Sequence, residues 1–204
     1  MCIRDSLEAL AGLRPYRGEV RFLGKPLPKD PARLFSLGIA HIPEERAMGV
    51  VGGMSVAENL ALRTYRSYAR GGFLDYRRLE QDTQGFIAQY GIKTPSPRTP
   101  VRFLSGGNVQ KVILARELRG GPKLLLAMHP TYGVDVGAAE EVHGRILDLV
   151  RQGAAVLLVS EDLDEILSLS HRVAALYHGR LVGPLPREEA DRERLGRMMT
   201  EGRA

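Results

Sequence analysis

The feature that most constrains the fold is an alternation of short apolar runs with longer amphipathic stretches in the second half of the chain. Apolar runs at residues 123–127, 154–160 and 172–177 are separated by stretches at 138–151 and 162–169 that have helical periodicity. Short apolar runs predict buried strands, and helices between them predict parallel strands joined by crossovers. The sequence therefore predicts an α/β fold with a mostly parallel sheet.

The first half of the chain predicts a small antiparallel β part followed by a helical insertion. Ser55 with Glu58 three residues later forms a capping box, which predicts a helix start. Three prolines between residues 95 and 100 predict an extended connector. We therefore predict a helical insertion over residues 55–119. The elements predicted before it are a helix from Leu7, a strand over 18–23, a short helix over 31–37 and a strand over 38–42.

Composition excludes several classes of protein. The chain has 204 residues, 44% of them hydrophobic, which is enough for a buried core, and it has no apolar run of about 18 residues that predicts a membrane span. Its 29 basic residues are spread among 24 acidic ones, so the net charge of +5 indicates a solvated surface and predicts no nucleic-acid partner. The single cysteine, Cys2, and the absence of an apolar signal segment favour a reducing cytoplasm.

The stretch over residues 104–111, Leu-Ser-Gly-Gly-Asn-Val-Gln-Lys, predicts a helix start that binds an anion. Ser105 offers a hydroxyl at the N-cap, and Gly106 and Gly107 let the backbone approach a ligand closely. The exposed amides and the helix dipole favour negative charge, so a phosphate group fits there. The alternative is a plain helix start, although capping alone does not require two glycines.

Four motifs in this order resemble the nucleotide-binding domain of an ATP-binding cassette (ABC) transporter. They are the Pro-Glu-Glu-Arg loop at 42–46, the signature segment at 104–111, the loop at 130–137, and Ser-Glu-Asp at 160–162. The resemblance extends over about residues 7–183. The details are similar to the second cassette of the tandem ATPase subunits that energise bacterial sugar and nucleoside importers. The implied fold is that of a P-loop NTPase-like ABC ATPase domain.

The resemblance also implies how the chain is organised. A Walker A loop, G-x-x-x-x-G-K-[ST], is expected just before the helix at Leu7. No lysine precedes Lys25 and the first six residues contain no glycine, so we expect those six residues to be a non-native leader. The implied parts are this leader at 1–6, a truncated ATPase core with the Q-loop at 7–54, a helical subdomain ending in the signature helix at 55–119, and a second part of the core with the Walker B-like strand, D-loop and switch strand at 120–204.

Family resemblance assigns binding roles to two sets of residues. Glu44 stands at the Q-loop position, which couples to a membrane partner, and Asp135 matches the D-loop aspartate that communicates between two facing sites. The alternative for Asp135 is a plain turn residue. The residues assigned to the γ-phosphate of an ATP held by an opposite cassette are Ser105, Gly106, Gly107 and Asn108.

Three positions depart from the family pattern. Met128, His129 and Glu161 stand where the family has a magnesium-binding aspartate, a catalytic glutamate and a switch histidine. A thioether is a poor ligand for Mg²⁺, and a carboxylate near a phosphate repels it. Histidine can act as a base in proteins, but without a metal or a phosphate cradle His129 has little to act on, which favours a structural role. We therefore predict no catalytic residue and no metal site in this chain.

The implied function is that of an ATP-binding subunit, the second nucleotide-binding domain of a bacterial importer for simple sugars or nucleosides. It would supply its signature segment in trans, with ATP bound mainly by the partner cassette and Mg²⁺ only at the partner's site. The implied partners are the first nucleotide-binding domain, membrane permease subunits and, indirectly, a solute-binding protein, at the cytoplasmic face of the plasma membrane. Two alternatives stay open, a soluble ABC ATPase unrelated to transport and a non-catalytic regulatory or scaffold ABC domain.

Overall fold

The computed structural model describes residues 3–203, so Met1 and Cys2 of the predicted leader lie outside the described residues. The helices are α1 (Ile3–Leu10), α2 (Pro31–Ser36), α3 (Arg46–Gly49), α4 (Val56–Ala61), α5 (Tyr76–Gln89), α6 (Gly106–Glu117), α7 (Val136–Arg151), α8 (Leu163–Leu169) and α9 (Arg192–Glu201). The strands are β1 (Arg21–Phe22), β2 (Lys25–Pro26), β3 (Ile39–Ile42), β4 (Ala69–Arg70), β5 (Phe73–Leu74), β6 (Leu124–Met128), β7 (Ala155–Val159), β8 (Arg172–Tyr177) and β9 (Arg180–Pro186).

A parallel sheet in the order β3-β6-β7 forms the centre of the described chain. Ile39 of β3 pairs with Leu124 of β6, and Leu124 pairs in turn with Ala155 of β7. The central strand β6 is apolar throughout because helices cover both of its faces. Helix α7 makes the crossover from β6 to β7, so the predicted α/β fold with parallel strands is confirmed.

The strand predicted over 172–177 exists, but its predicted membership of the parallel sheet is wrong. It is β8, and it pairs antiparallel with β9 through a turn at His178 and Gly179. Its residues alternate between exposed and buried, with Val173 and Ala175 packing on α9, and this is the pattern of a strand with one covered face. The last helix begins at Arg192, and the Asp191 side chain accepts from the Arg194 amide at its N-cap.

The first helix starts earlier than the sequence predicts. Helix α1 begins at Ile3 rather than Leu7, so residues 3–6 of the predicted leader belong to it. Leu7 is buried in an apolar cluster with Leu126 of β6, which packs α1 against the central sheet. Within residues 3–203, no helix combines the length and the apolar character that crossing a membrane requires.

Helix α6 is the structural centre of the helical insertion. Four consecutive residues at 112–115 are buried, because α6 lies against strand β3 and the helices α3, α4 and α7 and has no solvent face over this turn. The predicted capping box at the start of α4 is present: Ser55 Oγ accepts from the Glu58 amide at 3.2 Å, and Glu58 Oε2 accepts from the Ser55 amide at 2.8 Å.

Buried ion pairs hold the C-terminal end of α6. The Glu117 carboxylate is buried, accepts from Arg116 Nε at 2.9 Å and from Arg63 Nη1, and also accepts from the His41 amide at 3.1 Å. Arg116 Nη2 donates to the carbonyl of Gly49 in α3 at 2.7 Å. Because a buried carboxylate is stable only when it is paired, this network fixes α6 relative to β3 and α3.

Candidate functional site

The start of α6 exposes backbone amides with no protein partner. Ser105 is the N-cap residue, as predicted, but the prediction that its hydroxyl caps the helix is wrong. The hydroxyl accepts from Asn108 Nδ2 at 2.8 Å instead, while Asn108 Oδ1 accepts from the Lys93 amide at 2.7 Å. In the described part of the chain, the amides of residues 106–108 have no protein acceptor. Such amides at the positive end of a helix are available to an external anion.

The loop at 130–137 lies directly beside this helix start. Gln110 of α6 is buried, and its Nε2 donates to the Pro130 carbonyl at 2.6 Å. A Cβ atom added to Gly107 would lie 3.7 Å from Asp135 Oδ2. The structure therefore brings together the predicted signature residues and the predicted D-loop aspartate, which are about 28 positions apart in the chain.

Asp135 has a local role that the sequence analysis did not assign to it. The helix predicted from residue 138 begins at Val136, with Asp135 as its N-cap, and Asp135 Oδ1 accepts from the Ala138 amide at 3.0 Å. The side chain is therefore a helix cap and not merely a turn residue. Its Oδ2 faces the signature segment, so the predicted communicating role stays a prediction with a geometry that suits it.

Arg46 is the residue at this site that the sequence analysis missed. Its Nη1 donates to the Gly133 carbonyl at 3.1 Å, across 87 positions of the chain. A Cβ atom on Gly106 would lie 2.6 Å from Nη1, and one on Gly133 would lie 2.7 Å from Nη2. The guanidinium thus rests against both glycines. The only signal in the sequence was its place in Pro-Glu-Glu-Arg, and no spacing rule predicts a contact this distant.

Glu44 pairs with the first helix. Its Oε1 accepts from Arg4 Nη2 at 2.8 Å, and the second carboxylate oxygen faces Arg4 Nε. Glu44 lies in the loop between β3 and α3, two residues before Arg46. The structure therefore connects this loop to α1 on one side and to the signature segment on the other.

The residues predicted to have replaced the catalytic groups lie at the ends of β6 and β7. Met128 is 2% exposed and packs in the apolar cluster of Leu7 and Val159. His129 has a left-handed backbone with φ +44, and its amide donates to the Val159 carbonyl at 2.8 Å, whereas Glu161 is exposed. Since Mg²⁺ prefers oxygen ligands, a buried thioether does not suit it. Within residues 3–203, no three His, Cys, Asp or Glu side chains are placed to hold a metal.

A buried carboxylate supports the 130–137 loop from behind. Glu165 of α8 accepts from Thr131 Oγ1 at 2.7 Å, and the same oxygen lies 2.8 Å from His143 Nε2 of α7. Its second oxygen, Oε2, is the one buried side-chain polar atom in the described residues that lacks a hydrogen-bond partner. This cluster joins the 130–137 loop to α8, the helix that follows the switch position, and His143 of α7 contacts Glu165 in it.

A cleft of about 320 Å³ opens beside the signature segment, between the helical insertion on one side and α3 with the residues after it on the other. Val50, Val101, Leu104 and Val109 give it an apolar lining, and Arg46 is one of the polar residues at its boundary. Large apolar side chains on the neighbouring surface are exposed, namely Met48 and Phe103 at 71% and 69%. Exposed apolar surface around a cleft is typical of a protein contact.

Comparison with known proteins adds sequence and structural relatives. Residues 6–132 match the sequence profile of the family described as ABC transporter. A putative ribose/galactose/methyl galactoside import ATP-binding protein of Rhizobium etli is 42% identical over 187 residues, which are 91% of this chain and 36% of that protein. The guanosine import ATP-binding protein NupO of Bacillus subtilis is 37% identical over 200 residues, which are 96% of this chain and 39% of that protein.

Among solved structures, a nucleotide-free ATP-binding cassette from an ABC transporter superposes with a TM-score of 0.69 at 21% identity, covering 89% of this chain and 74% of that one. At this identity the likeness establishes the fold. The chain spans about two fifths of the length of the curated relatives that it matches.

Proposed function

The chain belongs to the ABC transporter family as an ATPase domain, and we propose that it is the second nucleotide-binding domain of an importer for simple sugars or nucleosides, which supplies its signature segment to a nucleotide held by a partner cassette. The observation that carries this proposal is the exposed start of α6, where the amides of residues 106–108 have no protein acceptor within the described residues. The import functions named for the relatives support the transport class.

The phosphate chemistry of this helix start supports a role in trans. Ser105 and Gly106 are exposed at the positive end of a twelve-residue helix, and three backbone amides there have no described acceptor, so a phosphate carried by another molecule can reach them. Phosphoryl transfer depends mainly on positioning and on stabilising negative charge, and backbone donors contribute to both without being consumed. We propose that the ligand is the γ-phosphate of ATP bound mainly by the partner.

The chain's own metal-binding position does not suit Mg²⁺. Met128 is buried among apolar side chains and offers no oxygen, and the exposed Glu161 would repel phosphate oxygens at the switch position. We therefore propose that Mg²⁺ binds only at the partner's site and that this chain alone does not turn ATP over. No catalytic step is assigned to Met128, His129 or Glu161.

We propose that the cleft beside the signature segment receives a helix of a membrane permease. Its lining is apolar, exposed Met48 and Phe103 extend that surface, and Arg46 contributes positive charge at the boundary. The loop of Glu44 borders the cleft through α3, so movement of the loop would be transmitted to the permease. Peripheral attachment at the cytoplasmic face of the membrane, with indirect dependence on a solute-binding protein, follows from this partner.

The test is a Mg²⁺-dependent ATPase assay with the chain alone, with a purified ABC cassette that retains its own magnesium and base ligands, and with both. We expect no turnover by the chain alone and a saturable increase in the partner's turnover when the chain is added. Turnover by the chain alone would contradict the proposal and favour a soluble ATPase. An unchanged partner rate at saturating chain concentration would contradict it and favour a scaffold domain.

A further inference from the structure

Arg46 is placed where its positive charge has no obvious compensation. It is half-buried, has no ion pair with any described carboxylate, and rests against Gly106 at the positive end of α6. Among residues 3–203, its side chain has one hydrogen-bond acceptor, the Gly133 carbonyl. The positively charged guanidinium and the positive end of the helix dipole repel each other, so the arrangement is most stable when an anion is nearby.

The contact is close and depends on the absence of two side chains. A Cβ atom on Gly106 would lie 2.6 Å from Arg46 Nη1, and a Cβ atom on Gly133 would lie 2.7 Å from Nη2, so a side chain at either position would collide with the guanidinium. The planar fork of arginine can lie against one glycine while it donates to the carbonyl of the other, and a lysine ammonium cannot do both. Arg46 therefore contacts both the start of α6 and the 130–137 loop.

We propose that Arg46 is a positioning residue that fixes the signature segment and the 130–137 loop as one unit, so that both meet the partner's nucleotide together. This inference rests on the proposed function. It adds a specific residue through which the loop of Glu44 would sense the nucleotide, because Arg46 begins α3 directly after that loop and contacts the start of α6. Without the guanidinium, the Gly133 carbonyl loses its donor and the helix start loses a neighbouring positive charge.

The test measures how tightly the chain binds the competent partner cassette with and without ATP, under conditions that prevent hydrolysis. We expect Arg46→Ala to weaken binding to the ATP-loaded partner about 10-fold and to leave binding to the nucleotide-free partner and the chain's Tm unchanged. A purely structural role would change both affinities or the Tm. The control is Arg98→Ala, which removes an exposed arginine that pairs with Glu80, and we expect it to change neither affinity.

Two further variants separate geometry from charge. Arg46→Lys keeps the charge but loses the fork, so we expect it to recover less than half of the lost ATP-dependent affinity. Gly106→Ala pushes the guanidinium away, so its effect and that of Arg46→Ala should be non-additive in the double variant. Full recovery by lysine, or simple additivity, would overturn the positioning role.

The outcomes also separate this inference from the proposed function. If the unmodified chain shows no ATP-dependent binding, both the proposed function and the inference are overturned. If the unmodified chain does show it, and Arg46→Ala retains it in full, only the inference is overturned.

Discussion

The start of α6 and the end of β6 differ in what they can bind: the first suits a phosphate group, and the second does not suit a magnesium ion. At the start of α6, the backbone amides of Gly106, Gly107 and Asn108 have no acceptor in the described chain. At the end of β6, the buried Met128 completes an apolar cluster with Leu7 and Val159. The first region retains the means to bind a phosphate, and the second lacks the oxygen ligands that a magnesium ion needs.

This difference follows from how each kind of site is made. A phosphate site at a helix start is made from backbone donors, so it requires only a helix, a suitable cap and room for the ligand. A magnesium site is made from side-chain oxygens, and Met128, which stands at the family's magnesium-binding position by resemblance, offers none and packs in the apolar core. Under the proposed function, this chain lacks a hydrolytic centre of its own and supplies the surface that completes a partner's centre.

The largest expected effect concerns the end of β6. Met128→Asp should lower the free energy of unfolding by about 4 kcal/mol, because the carboxylate would be buried among apolar side chains without a partner. The measurement is chemical denaturation at pH 7 with and without Mg²⁺. Met128→Leu is the control and should cost less than about 1.5 kcal/mol. Near-native stability of Met128→Asp that depends on Mg²⁺ would show that a metal site survives there.

The second prediction concerns the start of α6. Ser105→Arg should reduce the chain's stimulation of the partner ATPase at least about 100-fold, because a long side chain would fill the space in front of the three amides. The comparison is with Ser36→Arg, which changes an exposed serine at the end of α2. Unchanged stimulation by Ser105→Arg would remove the main support for the trans role.

The third prediction separates two roles of Asp135. Asp135→Ala and Asp162→Ala each remove an N-cap, from α7 and α8, and each should cost about 1 kcal/mol of stability. Asp135→Asn keeps an oxygen for the cap and should restore stability. If Asp135 also communicates with the partner's site, Asp135→Asn should still lower the stimulated ATPase rate, whereas Asp162→Ala should not. An Asp135→Asn variant with full stimulation would reduce Asp135 to a helix cap.

The smallest effect is a pH dependence at the other end of α6. Burial lowers the pKa of His41 below its usual value, the neighbouring Arg63 lowers it further, and Glu117 and Glu8 oppose the shift. The unfolded chain takes up this proton near pH 6.5 and the folded chain does so only at lower pH, so stability falls as the pH drops below about 6.5.

One linked proton limits the slope to about 1.4 kcal/mol per pH unit. The measurement is denaturation between pH 7.5 and 5.5, in which His41→Gln should flatten the slope and the exposed His171→Gln should not. An identical slope in His41→Gln would exclude this group as the source.

The sequence predicted those parts of the molecule that depend on local patterns. The capping box at Ser55, the strand β6 and the N-cap position of Ser105 are local features, and the structure contains all three. It did not predict that Asn108 takes the Ser105 hydroxyl, because that choice depends on the Lys93 amide brought in by folding.

Two larger differences have a similar origin. Strand β8 was predicted to belong to the parallel sheet, but it lies outside that sheet and pairs with β9. Its residues alternate between exposed and buried, which is the pattern of a strand with one covered face. The contact of Arg46 with Gly133 joins positions 87 residues apart, and such a contact is decided by packing rather than by spacing.

The most direct test of the account is an NMR titration of the chain labelled with ¹⁵N-glycine, mixed with the competent partner cassette and a non-hydrolysable ATP analogue. The account predicts that the amide signals of Gly106 and Gly107 shift only when partner and nucleotide are both present, while those of Gly71 and Gly72 in the β4–β5 turn do not move. Unshifted Gly106 and Gly107 signals in the nucleotide-loaded complex would contradict it.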